Sequence, residues 1–213
     1  MVLVDKAYRG QGLGKATFRA CLEEARGLGV GVLGLDATEM GEPIYGRYGF
    51  KVTQPVTRWG GVLQLDRLLG HDRFERAVCK GLNDSILEFD ARLAGVDRSS
   101  LLRALADTDG RCYSLREGGV TQGYAFVRLG RNAFHIGPMV TESSDQMSFL
   151  LRVIGEDIKG EEVICDALST ESEALLSQSG LKPLRVLKRM AVPDLNGLFC
   201  HESLRLGAGF EWG

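Results

Sequence analysis

A glycine-rich segment near the N-terminus carries the clearest chemical signal in this sequence. It reads Arg9-Gly-Gln-Gly-Leu-Gly14 and lies between a short apolar run and a segment with helical periodicity. Successive glycines let backbone N–H groups converge on one point without obstruction by side chains. The helix N-terminus that follows favours a negative charge at that point. The segment therefore predicts a site for phosphate or pyrophosphate; the alternative is a glycine-rich turn that binds no ligand.

Two common nucleotide-binding motifs do not fit this segment. The Walker motif has Ser or Thr directly after its lysine, whereas Lys15 is followed by Ala16. The dinucleotide-binding fingerprint requires a wider spacing between its last two glycines than that of Gly12 and Gly14. The segment therefore indicates neither a P-loop nor a dinucleotide-binding turn.

The elements around the glycine-rich segment predict an α/β fold. Met1–Val4 is an apolar, strand-like start, and residues 16–28 place apolar side chains at helical spacing. Residues 30–36 are an apolar run of strand length, residues 39–49 suit a short helix and turn, and residues 50–59 return as a strand. Strands and helices thus alternate around the loop.

An internal repeat extends this pattern along the chain. Tyr48–Trp59 is echoed by Ser179–Met190, and Val32–Asp36 by Glu162–Asp166, each about 130 residues later. The glycine-rich segment aligns with Thr141–Gln146, which contains no glycine. The second copy therefore cannot form the same loop and is expected to be degenerate.

The repeat predicts two mixed-sheet domains, over residues 1–66 and 67–192, followed by a tail over residues 193–213. The second copy has opening elements that the first lacks, so we expect the first domain to be incomplete and the chain to be a fragment. In the second copy we expect strands at 74–79, 111–115, 122–129, 133–139, 162–167 and 184–190, with helices at 84–92, 99–106, 144–154 and 171–177. The aromatic residues of the tail are expected to pack on the second domain, with partner docking as the alternative. They are Phe199, Phe210 and Trp212.

The segment from Val4 to Ala16 resembles the acetyl-CoA loop of the GNAT acyltransferases. Arg9, Gly12 and Gly14 fill the positions of that family's Arg/Gln-x-x-Gly-x-Gly/Ala signature. Downstream, Tyr45-Gly-Arg-Tyr-Gly-Phe50 looks like the family's Tyr-x-x-x-Gly-Phe segment. Residues 84–192 are similar to the second half of a tandem-GNAT subgroup.

The resemblance implies an N-acetyltransferase in which a primary amine attacks the acetyl group of acetyl-CoA directly. It implies that acetyl-CoA is held by a splayed N-terminal strand and by the glycine-rich loop. The implied binding residues are Leu3, Val4, Arg9, Gly10, Gln11, Gly12, Leu13, Gly14 and Lys15. Tyr45 matches the family's general acid, which protonates the departing thiolate; the alternative is a half-buried packing tyrosine. Tyr48 is expected to be a packing residue.

The general base and the acceptor site are less clearly indicated. Asp36, Asp5 and Glu42 are candidates for the base, with a structural carboxylate as the alternative for Asp36. In the second copy, three polar residues within strand-like runs either line an acceptor pocket or face outward. They are Arg128, His135 and Asp166.

Two other functions stay open. The chain could be a non-catalytic CoA-binding or regulatory module, or a scaffold that binds no nucleotide. The acceptor, a small-molecule or peptide amine, is not identified by the fold resemblance.

Composition limits the partners and the compartment. Lys and Arg total 26 against 28 Asp and Glu, a formal net charge of -2, which argues against a nucleic-acid or membrane partner. No secretory pattern is present, so we expect a cytoplasmic protein, with a homodimer left open. The five cysteines are scattered without CxxC spacing, which predicts free thiols and no metal site. They are Cys21, Cys79, Cys112, Cys165 and Cys200.

Overall fold

Nine strands form one sheet in the computed structural model, which describes residues 2–68, 74–79, 82–108, 110–193 and 202–209. The first copy of the repeat, up to residue 68, is called the first half below, and the rest of the chain the second half. The first half contributes two helices, two strands and two short 3₁₀ turns. In chain order they are a turn at Lys6–Tyr8, α1 (Leu13–Gly27), β1 (Leu33–Ala37), α2 (Glu42–Gly46), β2 (Lys51–Gly61) and a turn at Leu65–Arg67.

The second half contributes the remaining seven strands and four helices of the described residues. They are β3 (Glu75–Cys79), α3 (Asp84–Ala94), α4 (Ser99–Ala106), β4 (Arg111–Glu117), β5 (Val120–Leu129), β6 (Phe134–Thr141), α5 (Ser144–Ile158), β7 (Val163–Ala167), α6 (Thr170–Gln178), β8 (Lys182–Val192) and β9 (Leu204–Leu206). The sequence predicted each of these helices and strands to within a few residues, except β9.

The strand order is β1-β8-β2-β7-β9-β6-β5-β4-β3, with an additional pairing between β6 and β7. That additional pair is parallel and all the others are antiparallel. The prediction of a mixed sheet is confirmed.

Three pairs of corresponding elements in the two halves have equal lengths, and the corresponding strands β2 and β8 each pair with strands of the other half. Helices α1 and α5 each have 15 residues, β1 and β7 have 5, and β2 and β8 have 11. Strands β2 and β8 correspond in the repeat, and each pairs with the strand that precedes the other: β8 lies between β1 and β2, and β2 lies between β8 and β7. The division at residue 66 stays a prediction, and strands from both sides of it share one sheet.

The sheet is covered on both faces in the second half. Alternate residues of β5 point to opposite faces, with Ala125 and Val127 against α5, and Tyr124 and Phe126 against α3 and α4. Helix α5 is therefore buried along most of its length. The corresponding helix α1 has only Phe18 and Leu22 buried, and they pack against Phe50 and other residues of a smaller cluster.

The predicted strand at Met1–Val4 is wrong for residues 2–4, which lie in no strand; Met1 lies outside the described residues. The chain turns at once into the 3₁₀ turn, because the Asp5 carboxylate accepts a hydrogen bond from Ala7 N at 2.9 Å. Too short a segment then remains to form a ladder with a neighbouring strand. Val2 packs instead on the cluster around Phe18.

The described part of the tail packs on the second half, since residues 205–209 are buried. The three tail aromatics on which that expectation rested lie outside the described residues. They are Phe199, Phe210 and Trp212.

Candidate functional site

The glycine-rich loop has a backbone shape that its glycines make possible. Gly10 and Gly12 have φ values of +81° and +76°, a left-handed region that disfavours residues with a Cβ atom. A Cβ atom at either position would meet nothing within 4 Å. The two glycines are therefore required by backbone conformation, and the space beside them is open.

Helix α1 begins at this loop without a side-chain cap. Its N-cap is Gly12, whereas Asn83, Ser143 and Ser169 cap α3, α5 and α6 through their side chains. The first N–H groups of α1, those of Leu13 to Lys15, have no acceptor among the described residues. Unsatisfied amides at a helix N-terminus attract an anion. The loop and the helix start therefore suit a phosphate group.

The predicted binding residues before and within the loop lie close together. Arg9 Nε donates to the carbonyl of Val4 at 3.1 Å. The Cγ2 atom of Val4 lies 3.3 Å from where a Cβ atom of Gly14 would be, so residue 14 must be small for this approach. Leu3, Gln11 and the other loop positions are exposed except for the partly buried Gly14. The structure thus brings residues 3–4 and 9–15 to one surface.

Tyr45 is connected to this surface through α1. Its ring contacts the ring of Phe18 edge-on, with 4.8 Å between the centroids, and is partly buried. Phe18 lies five residues after Leu13, the first residue of α1, or about 8 Å along the helix axis. Tyr45 Oη has no hydrogen-bond partner among the described residues. Tyr48 also contacts Phe18, at 5.1 Å, and its Oη is buried without a partner in the described part of the chain.

The three candidate bases all have structural partners. Arg189 Nε and Nη2 bind the two oxygens of Asp36 at 2.9 and 3.0 Å, and the Asp36 side chain is only 2% exposed. Glu42 pairs with Lys188 and raises the pKa of that ammonium group. Because Asp36 is bound on both oxygens and buried, the structure favours its role as a structural carboxylate.

The polar residues of the second half form a buried network. Arg58 Nε and Nη2 bind the two oxygens of Asp166, each at 2.7 Å, and His135 Nε2 lies 3.2 Å from Asp166 Oδ2. Arg128 Nη2 lies 3.0 Å from His135 Nδ1. An arginine only donates, so Nδ1 accepts and Nε2 carries the proton given to Asp166. Burial opposes ionisation of Asp166, but hydrogen bonds from Arg58 and His135 outweigh it and lower the pKa of this carboxyl.

The start of α5 corresponds to the start of α1. Backbone amides there are hydrogen-bonded by side chains of the same segment. Gln146 Oε1 accepts hydrogen bonds from the backbone N–H groups of Glu142 and Ser143, at 2.8 and 3.1 Å. Ser143 Oγ accepts from Gln146 N at 3.3 Å, which completes a capping box. The amides of Glu142, Ser143 and Gln146 therefore have acceptors within the chain, whereas the amide of Lys15, the counterpart of Gln146 in α1, has none among the described residues.

Two family models match this chain, each described as an acetyltransferase (GNAT) domain. One matches residues 86–196 and the other residues 1–66. The chain belongs to the GNAT acetyltransferase family. The predicted resemblance of both halves to GNAT domains is confirmed.

Solved GNAT structures share this fold over nearly the whole chain. A putative acetyltransferase from Pyrococcus horikoshii is 21% identical with a TM-score of 0.80, and the match covers 99% of this chain and 69% of that protein. A GCN5-related N-acetyltransferase from Anabaena variabilis is 18% identical with a TM-score of 0.61, covering 87% of this chain and 51% of that protein. A tandem GNAT protein from the clavulanic acid biosynthesis pathway is 15% identical with a TM-score of 0.56, covering 89% of this chain and 72% of that protein.

These likenesses establish the fold of this chain. The chain spans about half the length of the Anabaena protein. No curated protein matches the chain.

The residues that the structure describes contain neither a membrane-spanning helix nor a cluster of metal-ligating side chains. None of the helices there combines the length and hydrophobicity needed to cross a bilayer. In the same residues, His, Cys, Asp and Glu side chains form no group of three or more suited to a metal ion. Cys21 is exposed, Cys112 and Cys165 are buried, and none of the three forms a disulfide; burial raises the pKa of Cys165.

Proposed function

We propose that this protein is an N-acetyltransferase that transfers acetyl from acetyl-CoA to a primary amine. The observation that supports it best is the start of α1, where Gly10 and Gly12 leave open space and the amides of Leu13 to Lys15 have no acceptor among the described residues. Pyrophosphate is an anion that such a helix start can bind. Membership of the GNAT family supports the choice of acetyl-CoA as the source of that pyrophosphate.

The residues at this surface fit the proposed cosubstrate. The amides at the start of α1 would bind the pyrophosphate, and the exposed ammonium group of Lys15 would add a positive charge. The backbone amides of Leu3 and Val4 have no acceptor among the described residues, so they are available to the thioester arm. When bound, acetyl-CoA supplies an activated acetyl group.

Tyr45 is proposed to hold the proton that the leaving sulfur takes up. The edge contact with Phe18 fixes the ring and so orients the hydroxyl, and it makes no hydrogen bond to the hydroxyl. Asp36 is not proposed as the base, because Arg189 binds both of its oxygens.

A second candidate function is a CoA-binding module without catalysis. Two observations favour it: residues 2–4 form no strand, and the candidate base Asp36 is fully engaged. Such a module would keep the anion site and lack turnover.

The two functions are separated by measuring binding and turnover on the same protein. We expect CoA to raise the melting temperature, because it binds the folded state alone. We also expect release of free CoA thiol from acetyl-CoA in the presence of at least one amine from a panel of amino acids, polyamines, aminoglycosides and peptides. Thermal stabilisation without thiol release for any amine would support the binding module. Absence of both would refute the two functions together.

A further inference from the structure

The parallel strands β6 and β7 separate, and the C-terminal strand β9 lies between them. They pair directly only where Phe134, His135 and Ile136 face β7. Beyond that point β9 is antiparallel to both strands, with Leu206 opposite Met139 on one side and Ala167 on the other. The tail therefore occupies the gap between the two strands.

Backbone hydrogen bonds hold the tail to both sides of this gap. The N–H of Thr141, next to the end of the gap, donates to Ser203 O at 3.0 Å. On the side of β7, Leu168 N donates to Arg205 O at 3.3 Å, and Gly207 N donates to Asp166 O at 2.8 Å. The polar groups along the two strand edges are thus taken by the tail.

Side chains and tight packing fix the tail further. Arg205 is 3% exposed, and its Nε lies 3.2 Å from both O and Oγ1 of Thr141, while its Nη1 pairs with Glu171. Arg128 Nη2 donates to the carbonyl of Ala208. A Cβ atom on Gly137 would overlap the carbonyl of Gly207, so glycine at residue 137 permits this close approach.

The gap filled by the tail corresponds to the proposed cosubstrate site of the first half. In the repeat, β6 precedes α5 as residues 2–4 precede α1, and β7 corresponds to β1. The start of α5 is also closed, because Gln146 accepts from the amides of Glu142 and Ser143. The strand-edge amides of Thr141, Leu168 and Gly207 and the amides of Glu142, Ser143 and Gln146 at the start of α5 therefore have acceptors within the chain.

We propose that β9 is a permanent internal ligand of the second half, so that this half binds no acetyl-CoA and the chain has a single acetyl-CoA site. The inference rests on the proposed function only for the location of that single site. The tail takes the strand-edge hydrogen bonds that an extended arm of the cosubstrate would need.

The test combines calorimetric titration of the full chain with CoA and residue-resolved amide exchange by NMR. We expect one CoA per chain and slow exchange at Thr141, Leu168 and Gly207, whose N–H groups join the tail to the gap. Saturating CoA should slow exchange at Gly12 to Lys15 and leave the three tail amides unchanged.

A variant tests whether Arg205 holds the tail. Arg205→Ala should increase exchange at the three tail amides about tenfold or more, because a buried charged hydrogen-bond donor is lost. Arg205→Lys, which keeps the charge, serves if the alanine variant does not fold. The matched control is Arg103→Ala, an exposed arginine on α4, which should leave these amides unchanged.

The outcomes separate this proposal from the proposed function. Two CoA molecules per chain, or faster exchange of the tail amides when CoA is added, would overturn it. Fast exchange of these amides in the free protein, or no effect of Arg205→Ala on them, would overturn it as well. If no CoA binds at all while the tail amides stay protected, the closed second half is supported and the proposed function fails.

Discussion

Arg58 of β2 and Asp166 of β7 are directly opposite each other in the sheet and form a two-pronged ion pair, with both N–O distances at 2.7 Å. The same arrangement joins Arg189 of β8 to Asp36 of β1, at equivalent places in the repeat. The first pair links β2 to β7, which precedes β8 in the chain, and the second links β8 to β1, which precedes β2. The two halves are thus connected by a matched pair of buried ionic contacts.

Removing one partner of either ion pair should destabilise the protein strongly. Asp166→Asn and Asp36→Asn should each lower the free energy of unfolding by about 3 kcal/mol, because a partly buried guanidinium loses the buried carboxylate that neutralises it. Urea denaturation of the two variants would measure this. The control is Arg19→Ala, which removes the exposed pair with Glu23 and should change stability by less than about 0.5 kcal/mol. Equal losses in all three variants would contradict the structural role of the buried pairs.

Asp166 should also contribute to acid sensitivity. Its pKa is lowered in the folded protein, so its stabilising effect is present above the pKa of the unfolded carboxyl, about 3.9, and is lost as the pH falls through the folded value. The wild type should therefore lose stability below about pH 4 more steeply than Asp166→Asn. Urea midpoints measured from pH 7 down to pH 2 would compare them. Parallel curves would show that Asp166 is not the group responsible.

Tyr45→Phe should reduce turnover and leave folding intact. The phenylalanine ring keeps the contact with Phe18 and loses the proton donor, so kcat should fall about tenfold to hundredfold with little change in KM for acetyl-CoA. Tyr48→Phe is the matched control, because it keeps the second ring contact with Phe18. Since Tyr48 Oη is buried without a partner among the described residues, that change should preserve kcat and stabilise the protein by about 1 kcal/mol. Equal rates for Tyr45→Phe and wild type would remove Tyr45 from the mechanism.

Gly12→Asp should weaken CoA binding without unfolding the protein. The new carboxylate lies at the helix start and repels pyrophosphate, so affinity should fall at least about tenfold. Aspartate tolerates the left-handed backbone better than most residues. Gly95→Asp is the control for backbone strain, since Gly95 has a φ of +69° and open space around it at the C-terminus of α3. Calorimetry with CoA and melting temperatures would be measured for both. A Gly12→Asp variant with wild-type affinity would refute the anion site.

The residues of the two ion pairs occupy matching positions in the sequence repeat. Arg58 and Arg189 occupy matching positions of the echoing segments, and so do Asp36 and Asp166. Their crossing between the halves could not be predicted, because strand exchange depends on pairings between residues far apart in the sequence. The backbone shape of the loop was predictable, since conformational freedom at glycine is a local property. Tyr45 was indicated by the family resemblance, and its catalytic role stays a prediction.

Two elements at the ends of the described chain were not predicted correctly, for related reasons. The first strand failed because residues 2–4 pair with no neighbouring strand. Strand β9 was missed because Leu204–Leu206 is short and shows no clear hydrophobic alternation. Its extended conformation depends on hydrogen bonds to the edges of β6 and β7. In neither case does the apolar pattern of the segment decide the conformation: the turn at Asp5 ends the extended run of residues 2–4, and the edges of β6 and β7 extend β9.

The exchange of β2 and β8 between the two halves of the sheet has a consequence for the synthesis of this protein. Among the described strands, β1 has its only partner in β8, which begins at Lys182. The ribosome must therefore translate the chain as far as β8 before β1 and β8 can pair. Until then, the edge of β1 that binds β8 has unpaired backbone groups. Chaperones that shield such an edge during synthesis would increase the yield of this protein, and expression of the first half by itself would give insoluble material.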